Sequence, residues 1–167
     1  MRLITIFAFF FILPGMTVQG RQILQTFDKS SFYKVMASGS LENINGELII
    51  VATASIPEKE AYEGALLMKK AGLLNKPADK LKFFRSGCIK LESALIKDST
   101  HSEYHFLRLT IQEHAPRKVK YFKDLEKDSH YIQITFKDLS PVIQKAISDY
   151  SKNSKILRPE DFQKKNL

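Results

Sequence analysis

Apolar residues three and four positions apart recur along most of the chain, and the clearest stripe lies in its middle. The stripe consists of Leu81, Phe84, Cys88, Leu91 and Leu95. Residues at these spacings share one face of an α-helix, so the stripe predicts an amphipathic helix over residues 78–97. Gly87 and Ala94 flank it. Because both residues are small, we expect a second helix to approach this one closely.

Residues that favour the start of a helix divide the rest of the chain into further segments. Asp28 and Ser40 are residue types that cap helix N-termini, and each precedes a stretch with helical spacing. Pro141 follows Ser140 and suits the first turn of a late helix, residues 141–150. The pattern therefore predicts helices that begin after residues 28, 40 and 140.

Two residue pairs have the spacing of a capping box, in which two side chains satisfy the first free N–H groups of a helix. Ser55 with Glu58 is the first pair, and Thr100 with Glu103 is the second. The helix predicted to follow from the first pair, residues 58–74, is apolar on most of its sides. We therefore expect it to occupy the centre of the fold.

Two short stretches fit a strand as well as a helix. Residues 47–54 read "ELIIVATA", for which the surrounding three-four spacing favours helix. Residues 130–136 either continue a broken helix or form a short strand. The whole pattern predicts a mainly α fold, a single-domain bundle or layered array of about five to seven short helices with at most one short strand or hairpin.

The segment "HSEYH" lies in a further predicted helix, residues 101–115, and raises the question of a metal site. On a helix His101 and His105 project within about 40° of each other, but Glu103 points about 160° to 200° away. Arg108 lies on the histidine face, where its positive charge opposes cation binding. We therefore expect no metal site and a solvated helix face.

Few other residues offer catalytic chemistry. Cys88 lies within the apolar stripe, so we expect a buried and inert thiol. The seven glycines do not cluster into a phosphate-binding loop, and no cofactor is expected. The alternative to a non-catalytic protein is a small exported hydrolase whose site is built from His105, Arg108, Glu113 and His114.

Basic residues outnumber acidic ones and are clustered. The chain has 26 Lys+Arg against 18 Asp+Glu, a formal net charge of +8. Between residues 69 and 90 seven cations face one acid, Asp79. Such a surface favours an anionic partner, with general solubility as the alternative. The candidate binding residues are Lys69, Lys70, Lys76, Lys82 and Lys90.

The first twenty residues have the layout of a secretory signal peptide. Arg2 precedes an apolar run over residues 3–13, and Gly20 precedes the expected cleavage point. As a helix the run spans about 17 Å, which is short of a hydrocarbon core of about 30 Å. We expect cleavage near Gly20 and no integral membrane span in the mature chain, with an uncleaved anchor as the alternative.

The sequence thus predicts a signal peptide (1–20), a mainly helical domain (21–150) and a polar, frayed tail (151–167). A single cysteine cannot form an internal disulfide, and no Asn-x-Ser/Thr site occurs. Both features favour a bacterial exported protein, periplasmic or extracellular. We expect a non-catalytic envelope protein, a partner-binding or structural helical module. Its expected partner is an envelope protein or an anionic envelope component, and not nucleic acid.

Overall fold

The computed structural model of the protein describes residues 26–162, which form seven α-helices and three short 3-10 helices. No strand occurs within these residues, so the predicted mainly α fold is confirmed. The predicted signal peptide lies outside them. The α-helices are α1 (Lys29–Ala37), α2 (Leu41–Thr53), α3 (Lys59–Leu73), α4 (Pro77–Lys97), α5 (Ser102–His114), α6 (Leu125–Thr135) and α7 (Pro141–Ser151). The 3-10 helices are Arg117–Val119, Phe136–Asp138 and Pro159–Phe162.

None of the helices between residues 26 and 162 combines the length and the apolar character that crossing a membrane requires.

The predicted helix starts at residues 28, 40 and 140 are confirmed. The Asp28 carboxylate accepts a hydrogen bond from the Ser31 backbone N–H at 2.7 Å, and the Ser40 hydroxyl accepts one from that of Asn43 at 3.2 Å. Each bond satisfies an N–H group that has no partner within its own helix. Pro141 occupies the first turn of α7, where its missing N–H costs nothing.

Neither predicted capping box forms. The helix α3 begins at Lys59 without a side-chain cap, and α5 begins at Ser102 without one. Thr100 is occupied elsewhere, because its N–H and its hydroxyl both donate to the Asp98 carboxylate. Glu103 is fully buried and faces other helices. Spacing alone therefore misidentified both caps, since Glu58 and Glu103 contact side chains of other helices and Thr100 binds Asp98.

Both stretches for which a strand remained open are helical. Residues 47–54 belong mostly to α2. In this helix Ile44 and Val51 lie seven residues apart on the same face, and both are fully buried. Residues 130–136 lie in α6 and the start of the following 3-10 helix. There Asp128 and Ile132 are buried one helical turn apart. Burial at intervals of three and four residues decides for helix in both stretches.

The helices α3 and α4 cross closely where two glycines meet, as the small residues of α4 predict. A Cβ atom added to Gly87 would lie 2.5 Å from the Gly64 carbonyl oxygen and 2.9 Å from the Met68 backbone nitrogen. Such distances leave no room for any side chain at this position. The predicted central place of α3 is confirmed too, since Tyr62 and Leu66 are fully buried.

The apolar stripe of α4 enters the core only over its second half. Leu91 is fully buried and Leu95 is 5% exposed, whereas Leu81 at the other end is 43% exposed. Phe84 and Cys88 are half-buried between these limits. The prediction of one continuous core-facing stripe is therefore wrong at its N-terminal end, because α4 extends beyond the helices that cover its second half.

A second group of apolar side chains lies between α5, α6 and α7, and it includes a residue of the predicted frayed tail. Leu157 is fully buried there beside Phe106 and Ile147. The backbone N–H of Lys155 also donates to the Glu113 carboxylate. The tail prediction is wrong for this stretch, because Ile156, Leu157 and Phe162 all pack against this second group.

Candidate functional site

The helix α5, which carries "HSEYH", is not a solvated face as predicted. Every residue from 103 to 109 is buried, and its polar members contact side chains of other helices. The reason is that α5 packs against α3, α4 and α6 at the same time. The His105 and Arg108 side chains therefore face buried groups of the protein instead of solvent.

The centre of this polar interior is Asp128 of α6, whose side chain is fully buried. Arg108 donates to it twice, from Nε to Oδ2 and from a terminal nitrogen to Oδ1, both at 2.7 Å. The His105 Nδ1 lies 2.7 Å from Asp128 Oδ1, and its Nε2 lies 2.9 Å from the Ser99 carbonyl oxygen. Each ring nitrogen of His105 therefore faces an oxygen that can accept a hydrogen bond.

The same network reaches α4 and the segment before α6. Arg108 also donates to the Glu92 carboxylate at 3.0 Å, and Tyr121 donates its hydroxyl to Glu92 at 2.6 Å. Burial and the adjacent Glu92 carboxylate raise the pKa of Tyr121 well above its usual value, so its hydroxyl remains a donor. These bonds fasten four parts of the chain to one another.

The residues of the hydrolase alternative do not form one site. His105 and Arg108 face Asp128, whereas Glu113 accepts hydrogen bonds from Tyr150 and Ser154, both at 2.7 Å. His114 is exposed, and its Nδ1 faces the Thr110 carbonyl oxygen of its own helix at 3.0 Å. Nine residues along a helix amount to a rotation of about 180°, which places His114 opposite His105. The structure separates the four residues into two groups.

Glu113 has a structural role that the sequence did not suggest. Burial by itself would raise the pKa of its carboxyl, but hydrogen bonds from Tyr150, the Lys155 N–H and Ser154 outweigh burial and lower that pKa. The ionised carboxylate thereby ties the segment after α7 to α5.

A third polar group surrounds Glu103, which is fully buried. Its Oε1 accepts hydrogen bonds from Tyr33 at 2.7 Å and Tyr62 at 2.8 Å, and its Oε2 accepts one from the Lys29 ammonium at 2.9 Å. Lys29 also lies 3.5 Å from the Glu58 carboxylate. The Lys29 ammonium therefore places a positive charge next to both carboxylates.

His101 lies next to this group, although helix geometry predicted that Glu103 points away from it. The possible ligand atoms of Glu58, His101 and Glu103 lie within 4.8 Å of one another. The predicted orientation is wrong because His101 precedes α5 and has an extended backbone, so the rotation of 100° per residue does not apply to it. Its ring stacks on Tyr104 with 3.8 Å between centroids.

Cys88 is half-buried rather than fully buried as predicted. Burial, with a contribution from Glu92, raises the pKa of its thiol. A thiol with a raised pKa is a poor nucleophile, because the thiolate is the reactive form.

The five predicted binding lysines differ in their surroundings. Lys76 and Lys82 are exposed, and neither forms an ion pair within residues 26–162. The Lys70 ammonium lies 4.4 Å from the centre of the Phe83 ring, and burial lowers the pKa of Lys69. Lys90 forms an ion pair with Glu63 of α3 at 2.8 Å. Lys90 therefore projects towards α3 instead of away from the core.

Two exposed cations, Lys80 and Arg85, lie beside these lysines in sequence and complete a basic surface around the turn between α3 and α4. We define the hairpin surface as Lys69, Lys70, Lys76, Lys80, Lys82 and Arg85. Lys80 and Arg85 were not among the predicted binding residues, although the same excess of positive charge includes them. Asp79 is the single acid between residues 69 and 85.

No family model matches this chain, and neither a curated protein nor a solved structure matches it.

Proposed function

We propose that the chain is an exported, non-catalytic helical module of the bacterial envelope that binds an anionic partner through its hairpin surface. The observation that carries the proposal is the state of these six cations. None of them forms an ion pair within residues 26–162, although one acid lies among them. An unneutralised cluster of like charges attracts anions over distances longer than a single contact.

Several other lysines of the described residues do form ion pairs. Lys29, Lys90 and Lys97 pair with glutamates of other helices, and Lys145 and Lys152 both pair with Asp149. Within residues 26–162 the unpaired cations are densest in two stretches, the hairpin surface and residues 117–123, whereas others, such as Lys34 and Lys137, are spread singly along the chain. A general need for solubility would be met equally well by charges dispersed over the whole surface.

The side chains that a hydrolase would need are engaged in structural contacts. His105 and Arg108 are bound to buried Asp128, and Glu113 is bound to three donors. A general base or nucleophile must instead reach a substrate in a cleft. This supports a binding module over an enzyme.

The exported location rests on the pattern of the first twenty residues, with a charged start, a short apolar run and small residues before the expected cleavage point. In that location the abundant anions are lipid headgroups, acidic glycans and acidic protein surfaces. Each of these carries the negative charge that the hairpin surface would bind.

The test compares two double variants that change the net charge equally. Lys76→Glu with Lys82→Glu alters the hairpin surface, while Lys34→Glu with Lys137→Glu alters exposed cations on α1 and after α6. Binding is measured to dextran sulfate and to vesicles of phosphatidylcholine mixed with phosphatidylglycerol. We expect the first variant alone to weaken binding to at least one probe by about tenfold. Equal binding by both variants to both probes would contradict the proposal.

A further inference from the structure

We infer that the hairpin surface is one half of a docking face for an anionic lipid bilayer, and that residues 117–123 form the other half. This inference rests on the proposed function and specifies its partner. It depends on three features: the contact that joins the two halves, the absence of ion pairs in both, and the apolar side chains exposed among the cations.

The two halves are distant in sequence but adjacent in space. Tyr121 packs edge-on against Phe84 of α4, with 5.6 Å between ring centroids and an interplanar angle of 89°. The Tyr121 hydroxyl donates to Glu92, about two turns further along the same helix. A half-buried tyrosine with both a ring contact and a hydrogen bond fixes residues 117–123 beside the turn of α4 that carries Arg85.

The segment that Tyr121 holds in place is itself strongly basic. Its four cations are all exposed, and none forms an ion pair within the described residues; they are Arg117, Lys118, Lys120 and Lys123. The Arg117 guanidinium lies 4.8 Å from the centre of the Phe122 ring, which is 37% exposed. The structure thus extends the unpaired positive charge well beyond the hairpin surface that the sequence suggested.

The outward face of α4 adds apolar area to this charge. Lys82, Arg85 and Ile89 project within about 60° of one another at 100° per residue, and Ile96 falls within the same sector. Ile89 is 68% exposed and Ile96 is 83% exposed. The residues of α4 within this 60° sector are Ala78, Lys82, Arg85, Ile89 and Ile96, and none of them is acidic.

Cations mixed with exposed apolar side chains are the chemistry of an interfacial membrane contact. Lysine and arginine bind anionic headgroups, while isoleucine and phenylalanine enter the boundary between headgroups and acyl chains. A soluble polyanion would bind the same cations but leave Ile89, Ile96 and Phe122 in water. The bilayer is the partner that satisfies both parts of the face at once.

The chain contains no tryptophan, so a single introduced tryptophan reports on one position without background. Phe122→Trp and Ile89→Trp place the reporter on the proposed face. Ile49→Trp is the matched control, because Ile49 is 68% exposed as Ile89 is. It lies on α2 near the start of α3, where Lys59 donates to the Ala52 carbonyl. The fifteen residues of α3 put about 22 Å between its two ends.

The experiment titrates each full-length variant with phosphatidylglycerol-containing vesicles, pure phosphatidylcholine vesicles and dextran sulfate. Tryptophan emission should shift to shorter wavelength for Phe122→Trp and Ile89→Trp with the anionic vesicles only. Ile49→Trp should not shift with any of the three. Pure phosphatidylcholine measures any insertion by the apolar residues 3–13, which all variants share. A second arm, Lys118→Ser with Lys123→Ser, should weaken binding to anionic vesicles about fivefold for each lysine removed.

Other results separate this inference from the proposed function. If no emission shift occurs while Lys76→Glu with Lys82→Glu still weakens binding to dextran sulfate, the proposed function stands and the bilayer inference fails, leaving a soluble polyanion or an acidic protein as the partner. An equal shift with neutral vesicles would also overturn the inference, because it would show insertion that does not depend on anionic lipid. If the charge variants leave binding to every probe unchanged, both fail.

Discussion

At the scale of single residues, the polar interior is stabilised by charges that depend on one another. Asp128 accepts hydrogen bonds from Arg108 and lies against His105, and the side chains of all three are at most 8% exposed. Removing one partner of a buried ion pair leaves the other charge uncompensated. We therefore regard Asp128 as the most sensitive polar position in the described part of the chain.

Asp128→Asn should lower the free energy of unfolding by about 3 to 5 kcal/mol, because the amide keeps the volume of the side chain but removes the charge that compensates Arg108. Asp149→Asn is the control, since Asp149 is exposed and pairs with two exposed lysines. It should leave the thermal midpoint nearly unchanged. Urea denaturation measures both variants, and a similar loss in the two would show that burial is not what makes Asp128 sensitive.

Glu113 makes the stability of the described fold depend on acid pH. Because its pKa is lowered below the usual 4.5 in the folded state, its contribution is fully present above that value and is lost as the pH falls through the folded pKa. Glu113→Gln should therefore cost about 1 kcal/mol at neutral pH and progressively less below about pH 4.5.

Thermal midpoints of the wild type and Glu113→Gln, measured between neutral and acid pH, should approach each other as the pH falls. Glu126→Gln is the control because Glu126 is exposed in the first turn of α6. A constant difference between the wild type and Glu113→Gln at every pH would mean that the hydrogen bonds to Glu113 do not depend on its charge.

At the scale of helices, the sequence was informative wherever a local pattern decides the outcome. The caps Asp28 and Ser40, the three-four spacing and the small residues of α4 all predicted features that the structure has. Each depends on neighbours within a few residues. The amphipathic helix was therefore predictable from its own segment.

The burial of α5 could not be predicted in the same way. Its polar residues suggested a surface, but Glu103 is neutralised by Lys29, 74 residues earlier, and Arg108 by Asp128, 20 residues later. Spacing within a segment contains no information about partners at such separations. The two halves of the proposed docking face could not be brought together from the sequence for the same reason. The contact between Phe84 and Tyr121 joins segments that lie far apart in sequence.

The crossing of α3 and α4 gives a test at this scale. Gly87→Ala should lower the free energy of unfolding by about 1 to 3 kcal/mol or more, because the new Cβ would lie 2.5 Å from the Gly64 carbonyl oxygen. Gly72→Ala, near the end of α3, meets nothing within 4 Å and should raise stability by about 0.5 to 1 kcal/mol. Denaturant titrations of both variants measure the difference, and an equal effect of the two would contradict the close approach.

At the scale of the whole molecule, the two ends of α3 have opposite character. Glu58 and Glu60 lie at its start and are paired with lysines. Lys69 and Lys70 lie at its end and form no ion pair with an acid of residues 26–162. Part of this arrangement is explained by the helix dipole, which favours acids at the N-terminus and cations at the C-terminus. The dipole does not account for the exposed cations of α4 or of residues 117–123, and these are the charges of the proposed docking face.

The most direct test of this account is the salt dependence of binding to anionic vesicles, measured by sedimentation between about 0.05 and 0.5 M salt, a range in which the screening length falls from more than 10 Å to a few ångströms. The wild type and Lys34→Glu with Lys137→Glu should lose affinity steeply and in parallel as salt rises. Lys76→Glu with Lys82→Glu should bind more weakly at low salt and show a shallower slope, because fewer unpaired cations remain at the contact. Identical slopes for all three proteins, or binding that does not respond to salt, would show that the unpaired cations at the turn between α3 and α4 are not a binding surface.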